Sequence, residues 1–141
     1  MAGAAREEVF EVSAEKYYAA LIDYKHYPKL LSEVDSIEVL EFSETSARIQ
    51  YTINIVKSFQ YTLKMTQKRP EILSWELESG SFFKKNTGKW TITPMGPQKC
   101  KVSYSLEVEF KVFAPAAITN KLVAVNLPRM MQAFYEYAKT K

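Results

Sequence analysis

PAAITNKLVAVNLPRMMQAFYEYAK, residues 115–139, is the stretch whose reading decides the fold. It is the one segment long and apolar enough for a long helix, and most of the chain before Gln98 has the two-residue period of strands. The 24 residues from Ala116 span about 36 Å as a helix. Pro115 suits a first helical turn, where its missing N–H has no partner to lose. At about 100° per residue, Ile118, Leu122 and Val125 share one face. Around and after Pro128 the apolar set is Leu127, Met130, Met131, Phe134 and Ala138, on roughly the opposite face. Pro128 removes a hydrogen bond and crowds the turn before it, so a kink is expected there. Two readings stay open. Either the second half packs on an ordinary core while the first half covers something else, or the helix is buried on all sides.

The 141 residues make room for one domain, 1–141, with a substantial core. Apolar residues at 47% and charged residues at 25% place the chain among globular proteins. A net charge of +3 is too small for the strongly basic face of a nucleic-acid binder. Cys100 is the only cysteine, so no intrachain disulfide can form and nothing implies an oxidising compartment. Met1 to Arg6 has no apolar run behind it, and no stretch approaches a membrane span, so a cytoplasmic protein is expected.

Glu7 to Val12 reads as a short strand with Phe10 and Val12 on one face. Ser13 is a helix N-cap, followed by Tyr17, Ala20 and Leu21 at helical spacing. Asp23 can cap a second short helix through Lys25 to Leu31, with Pro28 near its start or at a break. From Glu33 the period becomes two: Ile37 and Val39 on one face, Leu40 and Phe42 on the other. Ser43-Glu44-Thr45-Ser46 is a hairpin turn. Ala47, Ile49, Tyr51, Ile53 and Ile55 alternate with polar residues, as do Phe59, Tyr61, Leu63 and Met65. After the turn Lys68-Arg69-Pro70-Glu71 come Leu73, Trp75 and Leu77, then Trp90 and Ile92. Pro94 to Pro97 turns the chain into the longest run: Cys100, Val102, Tyr104, Leu106, Val108, Phe110 and Val112. Strict alternation marks an antiparallel sheet with one buried face. Short turns make a meander, and the greasy face needs a cover. The expected fold is α+β: a curved antiparallel sheet of about seven strands, two short helices, and a long C-terminal helix over the concave face.

The inner faces would carry Tyr51, Tyr61, Trp75, Trp90, Tyr104 and Phe110 among aliphatics, with few polar side chains to partner the hydroxyls and indole N–H groups. A partly open cavity holding water or a ligand resolves that conflict; a solid aromatic core is the other reading. Phe82 and Phe83, adjacent in Gly80 to Gly88, cannot both point inward from a regular strand. Either one is exposed beside Lys84 and Lys85, suited to transient contact with a lipid surface, or both are covered by the short helices or line the cavity.

Catalytic chemistry is thinly represented. His26 is the only histidine, which excludes a multi-histidine metal site, and it reads as a surface or capping residue. Cys100 reads as a small buried hydrophobe. Four glycines leave no phosphate-binding loop. Arg48 is expected outward, Arg69 in a turn and Arg129 on the helix, so none of them points inward.

Three pieces in this order resemble the START-like or Bet v 1-like helix-grip (SRPBCC) superfamily, and within it the polyketide cyclase/dehydrase and Coq10-like branch. They are Val12-Ser13-Ala14-Glu15 through Asp23-Tyr24-Lys25-His26-Tyr27-Pro28, Phe83 through Gly88-Lys89-Trp90, and Pro115 through Leu127-Pro128. Where Coq10-like members carry a Pro-Trp-Cys-like stretch, this chain reads Lys29-Leu30-Leu31-Ser32. The resemblance implies a deep apolar cavity for a lipid, sterol, quinone or polyketide, lined at Trp90, Phe83, Leu122 and Val125. Together with the inner-face pattern, the candidate ligand-binding residues are Tyr51, Ile53, Tyr61, Leu63, Met65, Trp75, Phe83, Trp90, Tyr104 and Leu106 from the strands. Ile118, Leu122 and Val125 join them from the helix. The expected role is a non-enzymatic carrier or sensor of one hydrophobic small molecule, with no cofactor. The alternatives are a polyketide aromatase/cyclase using Tyr51, Tyr61 or Tyr104 to orient an enol, and a ribosome- or protein-interaction module of the translation-inhibitor type using the lysine-bearing outer face. No nucleic acid is expected as a partner outside that ribosomal case.

Overall fold

A computed structural model describes residues 2–54, 58–111 and 127–141. Seven antiparallel strands form one sheet in the order β1-β7-β6-β5-β4-β3-β2. They are β1 (Ala2–Phe10), β2 (Val34–Phe42), β3 (Ser46–Asn54), β4 (Ser58–Lys68), β5 (Ile72–Gly80), β6 (Phe83–Gly96) and β7 (Lys99–Phe110). Between β1 and β2 lie α1 (Ala14–Leu21), a 3₁₀ turn (Tyr24–His26) and α2 (Tyr27–Leu30). The described part of the C-terminal segment is α3 (Leu127–Ala138). The meander runs from β2 to β7, and β1 returns to pair with β7 from Ala2 opposite Val108 to Phe10 opposite Cys100.

The alternating pattern becomes a face. Ala47, Ile49, Tyr51 and Ile53 of β3 are buried while their neighbours Arg48, Gln50 and Thr52 are half-buried. The inward register continues across the sheet as Tyr51 opposite Tyr61, Met65 opposite Trp75, Leu73 opposite Trp90 and Trp90 opposite Tyr104. Ser13 caps α1 as the sequence requires, its Oγ accepting from the Lys16 N–H at 3.2 Å. α1 lies across α3, and the Tyr17 hydroxyl donates to the Met131 carbonyl at 3.0 Å. Phe10 stacks on Tyr17 and on Tyr135, with centroids 5.4 and 4.8 Å apart. Ring pairs of this kind each contribute about 0.5–1.5 kcal/mol beyond the area they bury.

Five expectations change. The first strand begins at Ala2, not Glu7. The second helix is split into a 3₁₀ turn and the single turn of α2, and the Asp23 side chain does not cap it. Asp23 instead accepts from the Tyr137 hydroxyl and from Lys141. In β2 the register slips between Val39 and Glu41, inserting Leu40 as a bulge. The extra residue puts Phe42 opposite Ala47, on the inner side with Ile37 and Val39 rather than across from them. There Phe42 meets the edge of Tyr24 at 6.3 Å. β6 continues to Gly96, so the last turn narrows to Pro97-Gln98. Finally, Gln67 is buried among the apolar residues of the inner face and ties three elements together. Its Oε1 accepts from the Tyr24 hydroxyl at 2.7 Å, and its Nε2 donates to the Ser43 carbonyl at 2.9 Å. The kink expected near Pro128 involves residues 112–126, outside the described residues.

Candidate functional site

The concave face and α3 do not fill the space between them. A cavity of about 140 Å³ lies there. All ten strand positions named above line it: Tyr51, Ile53, Tyr61, Leu63, Met65, Trp75, Phe83, Trp90, Tyr104 and Leu106. Ile118, Leu122 and Val125 lie outside the described residues. α3 contributes Met130 and Phe134, one helical turn apart, so the half of the terminal segment that one of the two readings packs on an ordinary core also walls the cavity.

The rings form a continuous chain around this space. It runs Phe83, Tyr61, Tyr51, Tyr27, Phe134, Trp90, Tyr104, Trp75, each centroid between 4.6 and 6.2 Å from the next. Tyr51 and Tyr61 are stacked with their planes 6° apart, and Phe83 meets Tyr61 edge-on at 84°. Rings braced in this way resist collapse into the void, because each would have to break contact with two neighbours to move.

Polar groups on this wall divide into matched and unmatched. The Tyr27 hydroxyl donates to the Leu21 carbonyl at 2.5 Å. The Trp75 indole N–H donates to Asn86 Oδ1 at 3.0 Å. Asn86 is 5% exposed, so the expectation that the inner faces lack polar partners is corrected at this position. Among the described residues, the hydroxyls of Tyr51, Tyr61 and Tyr104 have no hydrogen-bond partner, yet none of them is sealed in; the one sealed and unpartnered side-chain oxygen is that of Tyr18. Burial pushes all three phenols well above their ordinary value, and mutual proximity adds to this at Tyr51 and Tyr61. They therefore remain neutral hydrogen-bond donors at any physiological pH.

Phe82 and Phe83 are 2% and 5% exposed. Phe82 packs on Phe59 and Phe110, and a register shift between Phe83 and Lys85 turns Phe83 onto the cavity. Neither is an exposed apolar tip, which corrects the reading of a lipid-touching rim. Lys84 and Lys85 pair instead with Glu109 and Glu107. His26 stacks on Tyr137 at 4.0 Å, on the helical side and away from the cavity lining. Cys100 is fully buried, and burial pushes its thiol up to about 11, which keeps it unreactive. Arg6 falls opposite Tyr104 on the edge strand but pairs with Glu8 in solvent and does not line the cavity. Among the described residues no group of three His, Cys, Asp or Glu could hold a metal ion, and no helix is long and apolar enough to cross a membrane.

Sequence reasoning left out of the candidate lining Tyr27, Leu31, Glu33, Val34, Asn86, Met130 and Phe134, and also Val108 and Phe110, although it had placed those two on the inner side of the last strand. Asn86 was within reach, since counting back by twos from Trp90 gives Gly88 and Asn86. Tyr27 and Glu33 lie on a short helix and a loop, where no period reports a direction.

The model of the family described as polyketide cyclase/dehydrase and lipid transport matches residues 10–135. The persistence and stress-resistance toxin PasT of Escherichia coli O6:H1 is 29% identical over 95% of this chain and 85% of its own. The ribosome association toxin RatA of Escherichia coli K12 is 28% identical over the same shares. A START superfamily protein from Mycobacterium smegmatis superposes with a TM-score of 0.81 at 19% identity, covering 98% of this chain and 97% of that one. The Zhui aromatase/cyclase from Streptomyces sp. R1128 gives 0.80 at 12% identity, covering 98% and 93%. At such identities the two structures show the fold, which is the helix grip.

Proposed function

The chain belongs to the polyketide cyclase/dehydrase and lipid transport family, and on that premise we propose that it binds one small apolar molecule between the sheet and α3, as a carrier or sensor. The observation that carries this reading is the trio of unpartnered hydroxyls, Tyr51, Tyr61 and Tyr104, on an otherwise apolar wall. Folded interiors pair their buried polar groups. Three protonated phenols in one place match a carbonyl, enol or phenol oxygen on a guest. The volume bears on the guest's size. About 140 Å³ holds a group of roughly one aromatic ring, below the roughly 300–1,000 Å³ of pockets for drug-sized ligands. The ring of a quinone or of a small polyketide fits that description better than a whole sterol does. The same three donors could steady an enol during a ring closure, which is the aromatase/cyclase variant of this reading.

Native mass spectrometry of protein purified from cells tests the proposal. A bound species of small-molecule mass is the expected result. Its consistent absence, together with no response to toluene, phenol or a short-chain quinone in NMR titrations, overturns it.

A second reading rests on the likeness to the ribosome association toxin RatA, and it places the contact at the ribosome. On the outer sheet face Lys84, Lys85 and Lys101 are each beside a glutamate, while Lys64 and Lys89 are exposed and make no ion pair among the described residues. Lys25, Lys29 and Arg129 on the helical side make none either, and they form a separate candidate surface. Salt-sensitive co-sedimentation with ribosomes, lost in a Lys25→Glu, Lys29→Glu, Arg129→Glu variant, is expected under this reading; co-sedimentation unchanged by the triple substitution excludes that surface.

A further inference from the structure

We infer that the cavity opens between the α2–β2 loop and the first turn of α3, and that Glu33 at this opening selects a ligand carrying a hydrogen-bond donor, an amine or a hydroxyl, over one carrying a carboxylate. The inference rests on the ligand-binding reading above and specifies its ligand. A second cleft, of about 240 Å³, is lined by Leu30, Leu31, Ser32, Glu33, Arg129 and Met130. Leu31, Glu33 and Met130 line the inner cavity as well, so these three side chains stand between the two spaces. Ser32 and Arg129 are exposed, which makes the outer cleft the side open to solvent.

Glu33 is the one charged side chain on the cavity wall among the described residues. No cation lies within ion-pair distance of it there. Its one side-chain hydrogen bond among them is from the Ser32 hydroxyl at 3.4 Å, a long contact. It is half-buried, and its charge reaches far enough inward to help raise the Tyr61 phenol, after burial and the neighbouring Tyr51 and Tyr104. A carboxylate partly removed from water and lacking a donor gains from a guest that brings one, and is repelled by a guest that brings a second carboxylate. Arg129 across the cleft is exposed to solvent, where salt screens its pull on anions.

Four probes with one ring each decide the matter by NMR titration: toluene, benzyl alcohol, benzylamine and benzoate. Benzylamine is expected to bind at least ~10-fold more tightly than benzoate, the scale of a charge-assisted hydrogen bond. In Glu33→Gln that ratio is expected to fall to within about threefold, and in Arg129→Gln to stay as in the wild type. Should none of the four probes bind the wild-type protein, the cavity reading loses its guest and this inference falls with it. Should toluene bind while benzoate matches benzylamine, the cavity stands and selection by Glu33 is overturned. A ratio that survives Glu33→Gln also overturns it, and the wild-type ratio alone is decisive if that variant does not fold.

Discussion

Gly88 lies directly beneath the indole of Trp75. A Cβ at that position would come within 2.3 Å of Trp75 Cζ2 and 2.6 Å of the Ser105 carbonyl oxygen. The glycine leaves room for one of the two indoles of the wall to sit against the strand, while its N–H reaches Asn86, two residues before that glycine. Gly88→Ala is therefore expected to push the indole into the cavity and to cost about 1–3 kcal/mol by overpacking. Urea denaturation measures the stability, and toluene titration measures the lost space.

Substituting phenylalanine for tyrosine should separate matched hydroxyls from unmatched ones. Tyr17→Phe removes the bond to the Met131 carbonyl, and Tyr27→Phe the bond to the Leu21 carbonyl. Tyr27→Phe leaves the Leu21 carbonyl without that donor, while the Met131 carbonyl, inside α3, keeps its helical one after Tyr17→Phe; each change is expected to cost about 1 kcal/mol. Tyr51→Phe, Tyr61→Phe and Tyr104→Phe break no bond within the described protein and are expected to change stability by under about 0.5 kcal/mol. Their effect belongs in the affinity for phenol relative to toluene, measured on the same samples.

Alkaline pH should unfold the protein early. Burial raises the phenols of Tyr17, Tyr24, Tyr27, Tyr51, Tyr61 and Tyr104. A raised acid binds its proton more tightly in the folded state. The stability it supports is present below the unfolded tyrosine value near 10 and drains away as pH rises beyond it. Each such residue contributes a slope of about 1.4 kcal/mol per pH unit there. Stability is expected to be nearly flat from pH 6 to 9, then to drop steeply. Absorbance at 295 nm should show these phenols ionising together with unfolding rather than before it.

The chain end is clasped to the helical layer. Tyr137 donates to Asp23, Lys141 bonds both, and His26 lies flat on the Tyr137 ring with the planes 5° apart. Burial pulls the Asp23 carboxyl up, but the bonds from Tyr137 and Lys141 outweigh it and leave the group below its ordinary value. A depressed carboxyl supports stability above its unfolded value near 4, and that support is lost as pH falls through the folded one. Tyr137→Phe and Asp23→Asn are each expected to cost about 1 kcal/mol and to speed amide exchange in the last turn of α3 ahead of the sheet.

The sheet and most of its cavity lining were legible because a strand has a period of two. Once Tyr51 faces inward, Ile49 and Ile53 must follow, and pairing carries the same face to Tyr61 and Trp75. The pattern failed where the backbone drops a beat. The bulge at Leu40 reversed Phe42, and Phe82, which precedes β6, is buried along with Phe83 at the start of that strand, the second of the two readings left open for them. Nothing periodic marks Glu33 or Asp23, and although the count by twos from Met65 reaches Gln67, it does not tell what that amide bonds. Gln67 and Asp23 are fixed by partners distant in the chain, Tyr24 and Tyr137. The first half of the terminal segment lies outside the described residues, so the two stripes read there meet no test.

The pairing of β1 with β7 sets Phe10 against Cys100 and Ala4 against Leu106. During synthesis β1 emerges long before β7, its sheet neighbour among the described residues, exists. It can dock only after the six-strand meander has assembled, a high contact order that slows folding. Until then the long flank of β7 stays open to any passing strand. Removing the N-terminal residues should accordingly yield aggregation before it yields loss of helix.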